Sequence, residues 1–294
     1  MTPNRPRAAL MMLLAAFCMG TASLVAKVLG AGGMHAFQIS AGRFIFALMA
    51  IGIAAAILRP RIHRPNLPLH ALRVGFGWAG VTGLFFAVAL MPLADATAIT
   101  FLNPMIAMLL AIPLLGERPG PWRWAAVAVA FLGALILIRP GAGAMQPAAL
   151  IALAAACFMG AEVIAIKRLT RAEPPFQILI VNNLIGGALA LTVASTVWRM
   201  PSATEWGLMA LVGLSVVSAQ VCFLQAMRAA EASFAMPFFY ATLIFAALWD
   251  AALFGVIPGG WSLAGAGLIV GAALLLTWRE GRAPRPPAPQ LRPR

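Results

Sequence analysis

The chain has 294 residues, of which 62% are hydrophobic and only 10% are charged. This composition excludes a soluble globular domain, because the exterior of such a domain must meet water and cannot hide so much apolar surface. The formal net charge of +13 does not indicate a nucleic-acid partner, since most of the basic residues lie in predicted loops and in the C-terminal tail. No metal-ligand spacing occurs among Cys18, Cys157 and Cys222, so no metal site is expected.

Apolar runs of about 20 residues recur along the chain, and each is long enough to cross the hydrocarbon core of a bilayer. Pro or Gly stands at most of the boundaries between them, as at Pro92, Gly116 and Pro201. The sequence therefore predicts an all-α polytopic membrane protein with ten transmembrane helices. The predicted spans are 8–29, 37–58, 71–92, 95–115, 122–139, 148–169, 176–198, 205–228, 231–254 and 260–278.

The second half of the chain repeats features of the first half in the same order. Residues 148–169 resemble residues 8–29, including a Met-Gly pair and a lysine in the same register, and Phe-Gln-Ile occurs at both 37–39 and 176–178. Five spans per half is an odd number, so the second half must enter the membrane from the opposite side, which predicts two inverted repeats. We expect these repeats at 1–140 and 141–278, followed by a disordered basic, Pro-rich tail at 279–294.

The basic residues predict the orientation in the membrane. If the N-terminus is cytoplasmic, every Lys and Arg except Lys27, Arg43, Arg139 and Arg199 falls on the cytoplasmic side. This bias predicts that both termini are cytoplasmic. Two inverted halves can exchange conformations and open a central site first to one side and then to the other, so the pattern is typical of a secondary transporter.

An ordered set of short motifs carries a family resemblance. The motifs are Arg43-Phe44, Asp95-Ala96-Thr97-Ala98, Asn103-Pro104 and Leu115-Gly116-Glu117. Together with the predicted arrangement of five plus five helices, they resemble the EamA-type transporters of the drug/metabolite transporter (DMT) superfamily. The second half departs from the family pattern, with Gly255-Val256 where a Gly-Glu pair is frequent and Asn182 where Arg43 would map.

The resemblance implies a carrier of small organic metabolites in the bacterial inner membrane, with a cavity lined by helices 1–4 and 6–9. Exporters of aromatic amino acids are the members that the chain resembles most, which implies export of aromatic or hydrophobic amino acids by alternating access and without a cofactor. Multidrug export of cationic compounds, with Glu162 as the counter-charge, is the main alternative. A channel and an intramembrane enzyme are the remaining alternatives, but the sequence has no pore-lining charge rings and neither an HExxH nor a GxSxG motif.

Ionisable residues inside the spans are the first site candidates, because charge in a bilayer is costly and usually faces a cavity or a partner. Arg43 is expected either to bind a substrate carboxylate or to form an ion pair with Asp250 or Asp95. Lys27 is expected to face the cavity or to extend to the membrane interface. Glu162 and Asp250 are expected to couple protons to transport or to form structural ion pairs.

Uncharged residues complete the predicted site, although helix packing is an alternative role for each of them. The candidate cavity residues are Trp78, Phe101, Asn103, Asn182, Phe239 and Tyr240. Pro104 and Pro237 interrupt corresponding helices of the two halves, which predicts either hinges beside the substrate site or kinks needed only for packing. Gly267 and Gly271 form a small-xxx-small pattern, which predicts either close packing within the chain or a weak homodimer.

Overall fold

A computed structural model describes residues 5–60, 63–116, 120–138, 147–169, 172–229 and 238–280. Every regular element within these ranges is a helix. In chain order the helices are α1 (Arg5–Ala31), α2 (Ala36–Leu58), α3 (Leu67–Leu90), α4 (Leu93–Thr100), α5 (Asn103–Leu115), α6 (Pro121–Ile138), α7 (Pro147–Leu169), α8 (Pro175–Ala194), α9 (Ala203–Ala229), α10 (Ala241–Phe254) and α11 (Gly260–Glu280). The predicted repeat boundary at 140–141, Pro237 and the predicted tail beyond Glu280 lie outside the described residues.

Among the described residues, seven apolar spans are long enough to cross a membrane, namely α1, α2, α3, α4 together with α5, α7, α8 and α9. Shorter apolar stretches lie in α6, α10 and α11. Large apolar side chains are exposed on the outer surface, and Ile53, Leu132 and Trp261 are each more than half exposed. Such a surface suits lipid and not water. The predicted all-helical, multi-pass membrane architecture is thus confirmed at this coarse level.

Helix α3 begins earlier than the sequence predicts, and this changes the position of Arg73. Asn66 caps the helix by accepting a hydrogen bond of 3.2 Å from the Leu69 N–H, and Pro68 stands in the first turn. Both residue types are typical of helix starts. The predicted start at residue 71 is therefore about one turn too late, and Arg73 lies roughly 9 Å inside the helix at 1.5 Å per residue.

The fourth predicted span is interrupted between α4 and α5. Helix α4 ends at Thr100, Phe101 and Leu102 form a turn, and Asn103-Pro104 opens α5. Side chains satisfy carbonyl groups at this break, since Thr100 Oγ1 donates to the Thr97 carbonyl oxygen (2.8 Å) and Asn103 Nδ2 donates to that of Thr100 (2.8 Å). Backbone carbonyls within a membrane require such partners, so these hydrogen bonds stabilise the interrupted helix.

The ninth predicted span has a break at Tyr240. The helical residues Phe238 and Phe239 precede it, and α10 follows it. Thr242 Oγ1 donates to the Phe239 carbonyl oxygen (2.7 Å), which satisfies an acceptor at this interruption. The fourth and ninth predicted spans therefore both contain a break in the described residues.

Helices approach most closely where glycine leaves room. Helix α1 packs along α9, and α3 packs along α7. A Cβ added at Gly80 of α3 would lie 2.7 Å from Met159 Cγ, and one at Gly83 would lie 3.1 Å from Ala155 Cβ. The spacing of three residues between these glycines keeps them on one face of α3, where they allow close contact with α7.

A pair of glycines joins α6 to α11. A Cβ added at Gly133 would lie 2.7 Å from the Gly265 carbonyl oxygen, and one at Gly265 would lie 2.7 Å from the Gly133 carbonyl oxygen. Within the described part of the chain, no atom lies within 4 Å of a Cβ added at Gly267 or Gly271. The prediction that Gly267 and Gly271 mediate close packing within the chain is therefore wrong, because Gly265 provides that contact.

The helix bundle has two ends with different contacts. The basic end contains the α2–α3 and α7–α8 connections, and the opposite end contains the α1–α2 and α8–α9 connections. At the opposite end α1 approaches α3 so closely that a Cβ on Gly30 would lie 2.8 Å from Ala89 Cβ. Helices α7 and α9 make no comparable contact among the described residues, which leaves space between them near the basic end.

Candidate functional site

A cavity of about 280 Å³ lies in this space. Its polar lining side chains are Arg73, Glu162 and Gln220, and most of its wall is apolar. The lining residues are Met19, Arg73, Glu162, Ile166, Ile178, Leu179, Ala219, Gln220, Phe223 and Phe239. They come from α1, α3, α7, α8 and α9 and from the segment before α10. An apolar pocket with a few convergent polar groups is the usual form of a small-molecule site.

Ionisable side chains from three helices meet at the cavity wall. Arg73 Nη2 of α3 lies 3.3 Å from Glu162 Oε1 of α7. Arg43 of α2 interacts electrostatically with both residues, and its guanidinium carbon lies 4.1 Å from the ring centroid of Phe44. The Arg43–Arg73–Glu162 cluster contains two cations and one anion, so its net charge is positive.

Gly77 makes room for the Glu162 carboxylate. Gly77 follows Arg73 by one helical turn and lies on the same face of α3. A Cβ at this position would lie 2.6 Å from Glu162 Cδ and 2.7 Å from Oε1. A larger residue would displace the carboxylate, so the absence of a side chain at Gly77 allows Glu162 to lie beside Arg73.

An aromatic cluster connects the cavity to the two helix breaks. The ring of Phe239 contacts those of Phe223 and Phe101 edge to face, with centroid distances of 5.8 and 6.2 Å. Phe101 contacts Tyr240 in the same manner at 5.2 Å. Because Phe101 follows α4 and Tyr240 precedes α10, the interruptions of the fourth and ninth spans meet at this cluster. A change of angle at either break would move the cavity wall.

A buried ion pair joins three helices at the opposite end. Lys27 of α1 donates to Asp250 Oδ1 of α10, and Asp250 Oδ2 accepts a hydrogen bond of 3.2 Å from the Ala94 N–H of α4. The Lys27 ammonium also lies 4.4 Å from the ring centroid of Phe254. These contacts hold the opposite end of the bundle together. The Asp250 carboxylate therefore pairs with Lys27 and not with Arg43, although the sequence predicts Asp250 as one possible partner of Arg43.

Two glutamines bind the interhelical connections, one at each end. At the opposite end, Gln38 Nε2 donates to the Arg199 carbonyl oxygen (2.6 Å), and the Arg199 N–H donates to Gln38 Oε1 (3.3 Å). At the basic end, Gln177 Oε1 accepts a hydrogen bond of 2.8 Å from the His63 N–H. These residues are the glutamines of the two Phe-Gln-Ile sequences, so the repeated motif makes a similar kind of contact twice.

Glu173 connects α3 to the α7–α8 connection at the basic end. Its carboxylate accepts hydrogen bonds from the Asn66 N–H (2.8 Å) and Gln177 Nε2 (2.7 Å), and His70 Nε2 lies 2.9 Å from it. Burial raises the pKa of Glu173, but these hydrogen bonds and the interaction with His70 outweigh burial and hold the pKa below its ordinary value.

Five predicted site residues line the cavity or belong to the charge and aromatic clusters beside it. Glu162 and Phe239 are part of the lining, and Arg43 belongs to the charge cluster. Phe101 and Tyr240 contact each other, and Phe101 also contacts Phe239. The structure therefore brings these residues together, although they come from four different spans of the sequence.

The remaining predicted residues lie elsewhere in the bundle. Lys27 and Asp250 form the ion pair at the opposite end, and Trp78 stacks against Phe37 with a centroid distance of 5.7 Å. Asn182 is buried in α8. Asn103 bonds the Thr100 carbonyl at the helix break, and Pro104 follows it in the first turn of α5.

Arg73 and Gly77 are the site residues that the sequence did not single out. The sequence predicts Arg73 as a cytoplasmic charge near the start of the third span, at 71–92. The helix-start signal of Asn66 and Pro68 would have placed it deeper in the membrane. The spacing of Gly77, Gly80 and Gly83 would have indicated a close helix partner for α3, but not its identity.

Comparison with known proteins agrees with a transporter fold. The chain resembles a protein of known crystal structure with a TM-score of 0.65 and 24% identity, over 94% of this chain and 98% of the other, which shows the fold alone. It is 34% identical over 252 residues to a riboflavin transporter of Rhizobium johnstonii, covering 83% of this chain and 80% of the relative.

Other relatives are named for different solutes. An S-adenosylmethionine uptake transporter of Rickettsia prowazekii is 24% identical, over 88% of each chain. A pseudopaline exporter of Pseudomonas aeruginosa is 26% identical, over 81% of this chain and 87% of its own. A model of the EamA-like transporter family matches twice, at residues 6–139 and 146–278. The chain therefore belongs to the EamA-like transporter family of the DMT superfamily and is a multi-pass membrane protein.

Proposed function

We propose that the chain is a secondary transporter that moves a small organic solute through the central cavity by alternating access. The observation that carries this proposal is the difference between the two ends of the bundle. The cavity lies between α7 and α9 near the basic end, whereas the contacts of Lys27, Asp250 and Ala94 hold the opposite end together. A central site closed at one end is the arrangement that a carrier needs in one of its two states.

Ten membrane spans in two inverted repeats are part of the proposal, and the two matches of the family model support it. The helix contacts add support, because α1 packs along α9 as α3 packs along α7, and these pairs are equivalent if the second repeat begins with α7. The α1–α3 and α7–α9 pairs are then also equivalent. If α7 and α9 came into close contact and α1 and α3 moved apart, the basic end would close and the opposite end would open.

The proposed orientation places the basic end and both termini in the cytoplasm, and the excess of Lys and Arg at that end supports it. In this orientation the cavity faces the cytoplasm, from which an exporter takes its substrate. The named relatives include uptake transporters and an exporter, so export remains a prediction from the family resemblance. The same resemblance supports the bacterial inner membrane as the location.

An aromatic amino acid is the first candidate substrate. Phe223 and Phe239 offer apolar surface to a ring, and the polar groups of Arg73, Glu162 and Gln220 can orient the rest of the molecule. A cationic drug suits this cavity less well, because Glu162 already has Arg73 at 3.3 Å and the cluster has a net positive charge.

Riboflavin is the second candidate, because the riboflavin transporter of Rhizobium johnstonii shares 34% identity over most of this chain. Its flat ring system would use the same apolar walls. Riboflavin is uncharged at neutral pH, so its binding would not depend on the charge cluster. Transport assays can therefore distinguish the two candidates.

The test is counterflow in proteoliposomes with labelled phenylalanine, tryptophan and riboflavin. Counterflow of the amino acids, competed by other aromatic amino acids and not by tetraphenylphosphonium, is the expected result. Riboflavin counterflow alone would support the second candidate, and counterflow of the lipophilic cation alone would support multidrug export. If no organic solute moves, the transport proposal is contradicted.

Two variants connect the assay to the cavity. Phe239→Ala should reduce counterflow because it removes part of the wall, whereas Leu253→Ala, which alters an exposed side chain on α10, should not. An imposed pH gradient tests the predicted proton coupling. If Glu162 carries the proton, the gradient should drive accumulation in the wild-type protein and not in Glu162→Gln.

A further inference from the structure

We propose that the cavity contains a subsite for one carboxylate group of the solute, with Arg73 as the binding residue, Arg43 as a supporting cation and Glu162 as a displaceable counter-ion. This inference rests on the proposed function, because it assigns a chemical class to the solute of the same cavity. It follows from the hydrogen bonding, the charge balance and the packing around Arg73.

Both arginines have hydrogen-bond donors without acceptors. Arg73 Nε and Nη1 and Arg43 Nε are buried and have no hydrogen-bond partner in the described part of the chain. Each of the two residues is only 7% exposed. Burying charged donors without acceptors costs free energy, so their presence beside a cavity calls for an acceptor from outside the chain. Arg73 lines the cavity, where a bound solute can supply that acceptor.

The charge balance indicates which acceptor fits. Glu162 supplies one negative charge against the positive charges of Arg43 and Arg73. One further negative charge would make the cluster neutral. A carboxylate supplies this charge, and its two oxygens match the planar edge of a guanidinium group. The subsite therefore favours a solute with one carboxylate over its uncharged amide.

A solute carboxylate can displace the Glu162 carboxylate from Arg73. Its contact with Arg73 is a single interaction of 3.3 Å, longer than the roughly 2.7–2.9 Å of a strong charge-assisted hydrogen bond. The absence of a side chain at Gly77 allows the Glu162 carboxylate to lie near Arg73. Glu162 partly neutralises Arg73, and a bound carboxylate would take over this role. Glu162 then competes with the solute, and weakening its contact should strengthen solute binding.

The first experiment measures binding of 3-phenylpropionate and of the isosteric 3-phenylpropionamide to the purified full-length protein by equilibrium dialysis. We expect the acid to bind on the order of tenfold more tightly than the amide, as for a hydrogen bond to a charged group. Arg73→Gln should abolish this preference. Arg64→Gln removes an exposed arginine outside the cavity and should retain it.

The second experiment displaces Glu162 without changing any charge. Gly77→Ala places a methyl group against the Glu162 carboxylate and should tighten binding of the acid several-fold, with no change for the amide. Gly75→Ala is the matched control, since a Cβ there meets nothing within 4 Å. Glu162→Gln should act in the same direction as Gly77→Ala. Equal weakening of both probes by Gly77→Ala would overturn the counter-ion assignment, because a structural role predicts that result.

The outcomes separate the subsite from the transport function. If the acid binds no better than the amide, or if neither probe binds, the subsite is overturned whether or not counterflow occurs. If the acid preference depends on Arg73 but no solute shows counterflow, the subsite stands and the transport proposal is contradicted.

Discussion

The two buried ion pairs of this protein differ in how their charges are balanced. At the opposite end, Asp250 is fully buried with one cation, Lys27, and also accepts a hydrogen bond from the Ala94 N–H. Near the basic end, Glu162 faces two arginines, and three guanidinium nitrogens lack partners among the described residues. The first pair is complete within the chain, whereas the second is not.

This difference separates a structural role from a binding role. In the first pair, which joins α1, α4 and α10, the ammonium and both carboxylate oxygens each have a hydrogen-bond partner among the described residues. An incomplete pair carries the free-energy cost of unpaired donors, which a solute can relieve on binding. The comparison predicts that variants of Lys27 affect mainly stability, whereas variants of Arg73 affect mainly transport.

The largest expected effect is that of Lys27→Met. This variant leaves the Asp250 carboxylate buried without its cation, and removing one partner of a buried pair costs about 3 kcal/mol or more. The free energy of unfolding, measured in detergent by denaturant titration, should fall by that amount. The double variant Lys27→Met/Asp250→Asn should recover most of the loss, because it leaves no unpaired charge. If the double variant is no more stable than the single one, charge pairing is not the source of the effect.

Arg73→Gln should reduce transport and leave stability nearly unchanged, which is the reverse of the effect expected for Lys27→Met. Counterflow of the substrate should fall at least about tenfold, as expected for a lost hydrogen bond to a charged group. The unfolding midpoint should remain close to that of the wild-type protein, since Glu162 keeps Arg43 as a counter-ion after the excess cation is removed. Counterflow and thermal unfolding of the same preparation, with Arg64→Gln as the control, provide the measurement. A large loss of stability with unchanged transport would reverse the assignment of the two pairs.

The sequence predicts the all-helical, multi-pass architecture, because long apolar runs and boundary Pro and Gly residues are local features. It also places Arg43 and Glu162 inside the membrane as site candidates. It does not pair them, because a partner in another helix leaves no local pattern, and the sequence therefore offers Asp250 or Asp95 as the partner of Arg43. Arg73 is missed for a different reason, since an error of one helical turn at the start of α3 moves it from the interface into the membrane.

The sequence likewise does not predict which glycine of a helix packs against a neighbouring helix. The small-xxx-small pattern of Gly267 and Gly271 identifies a helix that could pack closely, but the face that does so contains Gly265. The pattern records the spacing of small residues along one helix. The choice of face depends on where α6 lies, and nothing in the sequence of α11 encodes this position.

Gly30→Ala tests the packing of α1 against α3 at the opposite end without changing a charge. Its effect on stability should be smaller than that of Lys27→Met. The added methyl group would lie 2.8 Å from Ala89 Cβ and force α1 away from α3. Overpacking of this kind costs roughly 1–3 kcal/mol. Amide hydrogen exchange should show faster opening at the end of α1, and Gly52→Ala, where a Cβ meets nothing within 4 Å, should behave like the wild-type protein. Unchanged exchange in Gly30→Ala would mean that the α1–α3 contact does not hold this end closed.

Glu173→Gln concerns the contact at the basic end, and we expect the smallest effect, confined to acidic pH. The pKa of Glu173 is held below its ordinary value of 4.5 in the folded protein, so the folded state binds fewer protons than the unfolded state as the pH falls through this range. The stabilisation by Glu173 is therefore fully present above pH 4.5 and is lost as the pH falls towards the lower folded-state pKa. Unfolding midpoints of wild type and variant should differ most near neutral pH and converge on acidification. Parallel curves would mean that the contribution of Glu173 to stability does not depend on the charge of its carboxylate.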